Sequence, residues 1–177
     1  FDGISLFSGG LDSLIGAIDS LAASKIPLLV SHAGEGLVSK SQDRCFSGLK
    51  RAYPKSLVDR LRVWMNFESD LIRGVKSEDT TRGRSFLFFS LGVTAGTALP
   101  APFTLQVPEN GLIALNVPLD RLRLGALSTR TTHPFYMARW NELLQTLGID
   151  GRVNNPYWDQ TKGEMAARCA DIALLRK

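Results

Sequence analysis

Six residues constrain this chain more than any others: Ser8-Gly9-Gly10-Leu11-Asp12-Ser13, set between an apolar run at 4–7 and a helical spacing of Leu14, Ile18 and Leu21 over 14–23. A short apolar run reads as a buried parallel strand, and its passage through two glycines into an amphipathic pattern is a strand–turn–helix unit. Such a turn can serve as a phosphate cradle, because its N–H groups and the first-turn amides of the helix converge on one anion. Gly9 and Gly10 let the main chain come close to a ligand and take positive φ. Ser8 and Ser13 can donate to phosphate oxygens, and Asp12 can hold the Mg²⁺ that travels with them. The spacing is not that of the Walker loop, which places Gly-Lys-Ser/Thr after four residues. A Ser/Gly/Asp turn that merely caps a helix would carry the same letters.

The rest of the chain repeats the alternation. Pro27 precedes a second apolar run at 28–31, with His32 at its carboxyl end, where an open α/β sheet faces its ligand crevice. A helix is expected over 39–53, with Cys45, Phe46 and Leu49 on one side and Pro54 as its stop. Strands follow at 61–65, with the alternation of an edge, and at 104–107, and Val153 starts a last one. Between them lie helical patterns at 85–98 and 135–147, the second ending at Gly148. The expected fold is therefore α/β, one domain over residues 1–177 with an open parallel sheet and helices on both faces. The chain opens directly on its first strand and stops within a helical pattern, which reads as a segment of something longer.

Polar clusters fall between these elements. Arg73, Arg82 and Arg84 lie in or near the entry to the helix at 85–98, where the dipole is positive and arginines need an anion of their own. Glu109-Asn110-Gly111 follows a buried strand, a place for reading a ring or a ribose and equally for an ordinary turn. The segment 116–134 has no apolar period and ends in Ser128-Thr129-Arg130-Thr131-Thr132-His133-Pro134, a polar loop of the kind that serves binding. Thr161-Lys162-Gly163-Glu164 fits a capping box, with Lys162 at the first helical position, an unfavourable place for a cation unless it faces an anion.

Composition excludes some classes. No segment approaches the ~20 apolar residues of a membrane span, and no basic region leads an apolar stretch at the start, so a cytoplasmic setting is expected. The net charge of +4 and pI near 9.3 favour anionic ligands. The basic residues are scattered without aromatic interleaving, so a nucleotide pocket is favoured over a nucleic-acid surface, which stays open. Cys45 and Cys169 stand far apart within apparent helices and read as buried thiols, not as a disulfide or zinc pair.

The hexamer Ser8 to Ser13 resembles the PP-loop of the ATP pyrophosphatases, a branch of the HUP-type α/β folds. With Arg82, Arg84, Glu109-Asn110-Gly111, the Ser-Thr-Arg-Thr-Thr-His-Pro string and Thr161 to Glu164, nearly the whole segment is similar to the 7-cyano-7-deazaguanine synthase (QueC-like) branch. The string itself looks like that of the QatC-type proteins of bacterial anti-phage islands. The resemblance implies a ligase that cleaves ATP between the α and β phosphates with Mg²⁺. It adenylates a carboxylated deazaguanine-like substrate in antiviral defence or in nucleobase modification of the queuosine type. Ser8, Gly9, Gly10, Leu11, Asp12, Ser13, His32, Arg82 and Gly111 would then hold ATP, with Asp12 as the Mg²⁺ ligand. Lys162 and Arg84 would assist the departing pyrophosphate, and Glu109, Asn110, Thr129, Arg130, Thr132 and His133 would meet the substrate. The synthases carry a zinc-bound cysteine cluster near the C-terminus and this segment has none, so either the cluster lies beyond Lys177, or it is absent and nitrile formation is in doubt while adenylation stands. A tRNA-modifying PP-loop enzyme of thiolase or lysidine type, and a non-catalytic ATP-binding subunit, remain alternatives. A protein partner or substrate encoded beside a defence gene is also open.

Overall fold

In the computed structural model, which describes residues 1–33, 36–65, 73–74, 83–115 and 132–176, the first apolar run forms β1 (Gly3–Leu6) at the centre of a parallel sheet. The other strands are β2 (Pro27–His32), β3 (Asp59–Val63), β4 (Phe103–Gln106) and β5 (Gly151–Asn154), in the order β3-β2-β1-β4-β5. Every neighbouring pair is parallel: Ile4 lies beside Leu28 on one side and Leu105 on the other. The expected α/β class with an open parallel sheet is therefore what the chain adopts. The order reverses between β1 and β4, and in such sheets ligands bind at the carboxyl ends of the strands where this reversal opens a crevice.

Helices cover both faces. The α1 (Leu11–Ala22), α2 (Leu37–Ala52) and α6 (Lys162–Arg168) helices enclose one core, in which Phe7, Ile15, Ile18, Leu49 and Met165 are buried. The α3 (Arg84–Gly96) and α5 (Pro134–Thr146) helices enclose the other, where Phe89 stacks on Trp140 at 5.4 Å against Leu105 and Val153. Two single-turn helices, α4 (Gly111–Ala114) and α7 (Ile172–Leu175), complete the described elements. Sequence spacing places the start of α1 at 14 and β3 over 61–65; α1 begins three residues earlier, straight out of the glycine turn, and β3 earlier because its register with β2 pairs Leu28 with Asp59.

The two sheet edges differ. On β3, Arg60 and Arg62 both reach Asp43 of α2, and the Arg60 hydrogen bond holds that carboxyl below its ordinary range. On β5 the side chain of Asn141 accepts from Val153 N–H at 2.8 Å and donates to Val153 C=O at 3.1 Å, closing that edge residue as a neighbouring strand would. Among the described residues no helix is long and apolar enough to cross a membrane. Cys45 lies within α2 and is partly buried, while Cys169 is buried at the end of α6 and not inside it; burial pushes both thiols up.

Candidate functional site

The glycine turn is fixed by what α2 brings against it. Gly9 has φ +78°, and a Cβ there would lie 2.7 Å from the Gln42 backbone nitrogen, so both its dihedral and its surroundings exclude a side chain. Its carbonyl accepts from Ser41 Oγ at 2.6 Å and from Cys45 Sγ at 3.6 Å. Gly10 then serves as the N-cap of α1 in extended geometry with no side-chain cap, which leaves the helix start to whatever anion approaches. Ser13 donates to the Gly10 carbonyl at 2.9 Å, and its Oγ lies 3.2 Å from that of Ser8, which accepts from Gly10 N–H at 3.3 Å. Ser8 is exposed and Ser13 buried, so the two hydroxyls form a short chain from the interior to the mouth.

A cavity of about 360 Å³ opens beside this turn at the carboxyl ends of β1, β2 and β4. Ser8, Ser13, His32, Gln42, Arg84 and Glu109 are among its lining residues. Its apolar wall comes from Val30, Phe88, Phe89 and Val107, an arrangement suited to a flat ring beside a polar end. The start of α3 also faces it: Gly83 caps that helix without a side chain, and Arg84 lies over the Phe88 ring at 5.1 Å. Two helix starts and an arginine thus meet one cavity, and all three favour negative charge. His32 sits at the end of β2 with Nε2 2.9 Å from the Met65 carbonyl and its ring 5.8 Å from Phe88. Its own carbonyl accepts from Gln42 Nε2 at 3.1 Å.

Across the strand-order reversal, Asp12 is tied to the loop after β4. Its Oδ2 accepts from Asn110 N–H at 3.1 Å and from Asn110 Nδ2 at 2.7 Å, while Oδ1 lies 3.3 Å from Lys162 Nζ. Asn110 is buried, and its side-chain oxygen accepts from Ile113 N–H, capping α4. The predicted capping box is present: Thr161 and Glu164 exchange bonds at 3.2 and 2.8 Å, placing Lys162 at the first position of α6.

The remaining sequence-predicted residues divide. Glu109 lines the cavity and accepts from the buried Thr132 hydroxyl, and its main chain is clamped by the Asn155 side chain. Gly111 donates its N–H to the Gln160 carbonyl at 2.7 Å, and a Cβ there would lie 2.4 Å from the Trp158 carbonyl oxygen; it packs against protein. His133 accepts from Phe135 N–H through Nδ1 and caps α5, with Pro134 at the first helical position. Leu11 is exposed at the turn. Arg82, Thr129 and Arg130 lie outside the described residues.

No protein-family model matches the chain, and no curated protein matches it. The site therefore rests on its own geometry. Sequence reasoning passed over Gln42, Ser41 and Asn155, which hold the turn and the β4 loop in place. Gln42 and Asn155 are polar yet almost wholly buried, and Gln42 lies within an amphipathic pattern that gave no sign of it.

Asp12 also bears on whether a divalent cation could be held here. Its Oδ1 is buried and has no hydrogen-bond partner, although the Lys162 ammonium stands beside it, so one carboxylate oxygen has cation-binding capacity left. Mg²⁺ in nucleotide sites takes one or two carboxylates and the phosphates themselves, which this single oxygen satisfies. Among the described residues no three His, Cys, Asp or Glu gather as a metal cluster.

Proposed function

We propose that this chain binds ATP at the strand-order reversal and transfers its adenylyl group to a carboxylate of a deazaguanine-like acid, releasing pyrophosphate. The observation that carries the reading is the convergence on one cavity of Ser8 and Ser13 from the two ends of the turn, beside the uncapped start of α1, with Arg84. The apolar wall of Val30 and Phe88 suits the adenine ring. The turn amides, Ser8 and Ser13 suit the phosphates, and the QueC-like resemblance supplies the choice of acid.

The electrostatic work is to bear the charge that builds on the leaving pyrophosphate while the substrate carboxylate oxygen attacks the α-phosphorus. The α1 amides and the two serine hydroxyls are held before any ligand arrives, so they reorganise little during the reaction. Arg84 adds a full charge at the cavity wall, and Lys162, which stands beside Asp12, would add another on turning to the phosphates. Mg²⁺, when bound, would screen the phosphates, and Asp12 Oδ1 is the oxygen that would hold it. Glu109, fixed by Thr132 and Asn155, lines the same cavity and would orient the acid's amino or lactam N–H groups. Once the acyl-adenylate has formed, AMP is a good leaving group and an amine can take the acyl carbon.

The test is pyrophosphate release from ATP with a panel of acids and RNAs. Release that requires a deazaguanine carboxylate is the expected result. Release that requires tRNA instead would transfer the reading to an RNA-modifying enzyme, and ATP binding without turnover would make the chain a nucleotide-binding subunit.

A further inference from the structure

The proposed function gives Asp12 to the metal and Lys162 to the phosphates, yet without ligands the two are paired with each other at 3.3 Å. Oδ2 of Asp12 is engaged by two donors from Asn110, so it is the poorer site for a new cation. Oδ1 receives no hydrogen bond and is shielded from solvent, although the Asp12 side chain as a whole is 13% exposed. The group beside that oxygen is the Lys162 ammonium, whose side chain is 55% exposed and free to swing outward. The backbone from which it swings is fixed, because the capping box of Thr161 and Glu164 holds the first turn of α6.

We propose that Lys162 is an internal counter-ion that occupies the metal position on Asp12 in the nucleotide-free protein and leaves it only when a metal–nucleotide complex enters. This inference rests on the ATP reading. A divalent cation bound to Oδ1 would sit about 2.1 Å from it, a position that an ammonium at 3.3 Å already contests by volume and by like charge. Phosphate oxygens arriving with the metal offer Lys162 a second anion, so the lysine exchanges one partner for another without becoming an unpaired charge. Metal and nucleotide then bind interdependently: each is weak alone, and each raises the affinity of the other by the same factor. The pair thereby keeps free divalent cation off Asp12 until nucleotide arrives.

The probe is Mn²⁺ alone, titrated into nucleotide-free protein with free ion followed by electron paramagnetic resonance. Lys162→Met, and Lys162→Gln as a second variant, should bind Mn²⁺ about two- to five-fold more tightly than the unaltered chain, the factor set by an ion pair whose lysine is exposed. Adding Asp12→Asn to either should abolish the gain, and unfolding curves confirm that the variants compared are folded. Equal Mn²⁺ affinity with and without Lys162, or a gain that survives Asp12→Asn, overturns the proposal. ATP affinity measured by equilibrium dialysis is read separately. A Mn²⁺ gain with no ATP binding would uphold the Asp12–Lys162 exchange and remove the nucleotide reading, whereas normal ATP binding with no Mn²⁺ gain would remove the exchange alone.

Discussion

Replacing Gly9 by alanine isolates the feature on which the cradle depends, the pressing of the turn against α2. Two penalties add at this position. An L-residue at φ +78° costs about 1–2 kcal/mol for its left-handed backbone. The new Cβ would also meet the Gln42 nitrogen at 2.7 Å and its Cα at 2.9 Å, and because these are backbone atoms of a helix they cannot step aside cheaply. Overpacking of that kind costs a further ~1–3 kcal/mol. Gly148 separates the two contributions, since it ends α5 at φ +66° but a Cβ there would meet nothing within 4 Å, so Gly148→Ala carries the dihedral penalty alone. Urea unfolding of both variants should place Gly9→Ala about 1–3 kcal/mol below Gly148→Ala, or roughly 1 M lower in midpoint for a chain of this size. ATP binding should fall in Gly9→Ala and persist in Gly148→Ala, because only the first displaces the amides of the α1 start. Coincident unfolding curves would refute the claim that α2 fixes the turn, and with it the idea of a cradle set before ligand arrives.

Three other perturbations follow from the same contacts. Arg84→Ala should weaken ATP binding about tenfold by removing one charge-assisted bond, with a smaller salt dependence than the unaltered chain; isothermal titration at two salt concentrations checks both. Asn110→Ala removes a helix cap and the side-chain donor to Asp12 while keeping the main-chain one, and should lower stability by about 2–3 kcal/mol in thermal or urea unfolding. Tyr157 donates to Asp19 at 2.6 Å, and burial first, then that carboxylate, pushes its phenol pKa up. The unfolded chain loses this proton near pH 10 while the folded chain keeps it, so the contribution to stability is complete below about pH 10 and declines as pH rises further. Tyr157→Phe should be less stable by about 1.5–3 kcal/mol at neutral pH, and its urea midpoints should fall less steeply above about pH 10 than those of the unaltered chain, the remaining decline coming from the raised Cys45, Cys169 and Tyr53.

What the sequence made legible is what local pattern determines. The strand–turn–helix at the start, the five-strand alternation and the Thr161–Glu164 capping box each need only a few neighbouring residues, and each formed. His133 as the cap of α5 was also within reach, since Pro134 marks a first helical turn and the residue before it is the cap. What escaped was set by distance. Asn110 meets Asp12 across 98 residues, Asn155 holds Glu109 across 46 and Ser41 holds Gly9 across 32, and no periodicity encodes such pairings. The Glu109-Asn110-Gly111 triplet is uniformly polar as a string of letters, yet its members separate in three dimensions. Glu109 faces the cavity, Asn110 is buried under Asp12, and Gly111 lets the chain pass the Trp158 carbonyl.

That separation has a consequence for how the proposed site works. A carboxylate on a free helix end can present either oxygen in several orientations, and each bound cation would have to select one. Asn110 removes that freedom by engaging Oδ2 from both its main chain and its side chain. Because Asn110 in turn is fixed as the cap of α4, the orientation of Asp12 is inherited from the far side of the strand-order reversal. The two halves of the sheet are therefore joined by a polar clamp at the point where a ligand would bridge them. Binding geometry held in advance by neighbouring groups costs less order when the ligand comes. On this view Asn110 contributes to ligand binding without touching the ligand, and Asp12 Oδ1 is left as the oxygen that a cation, ammonium or metal, can take.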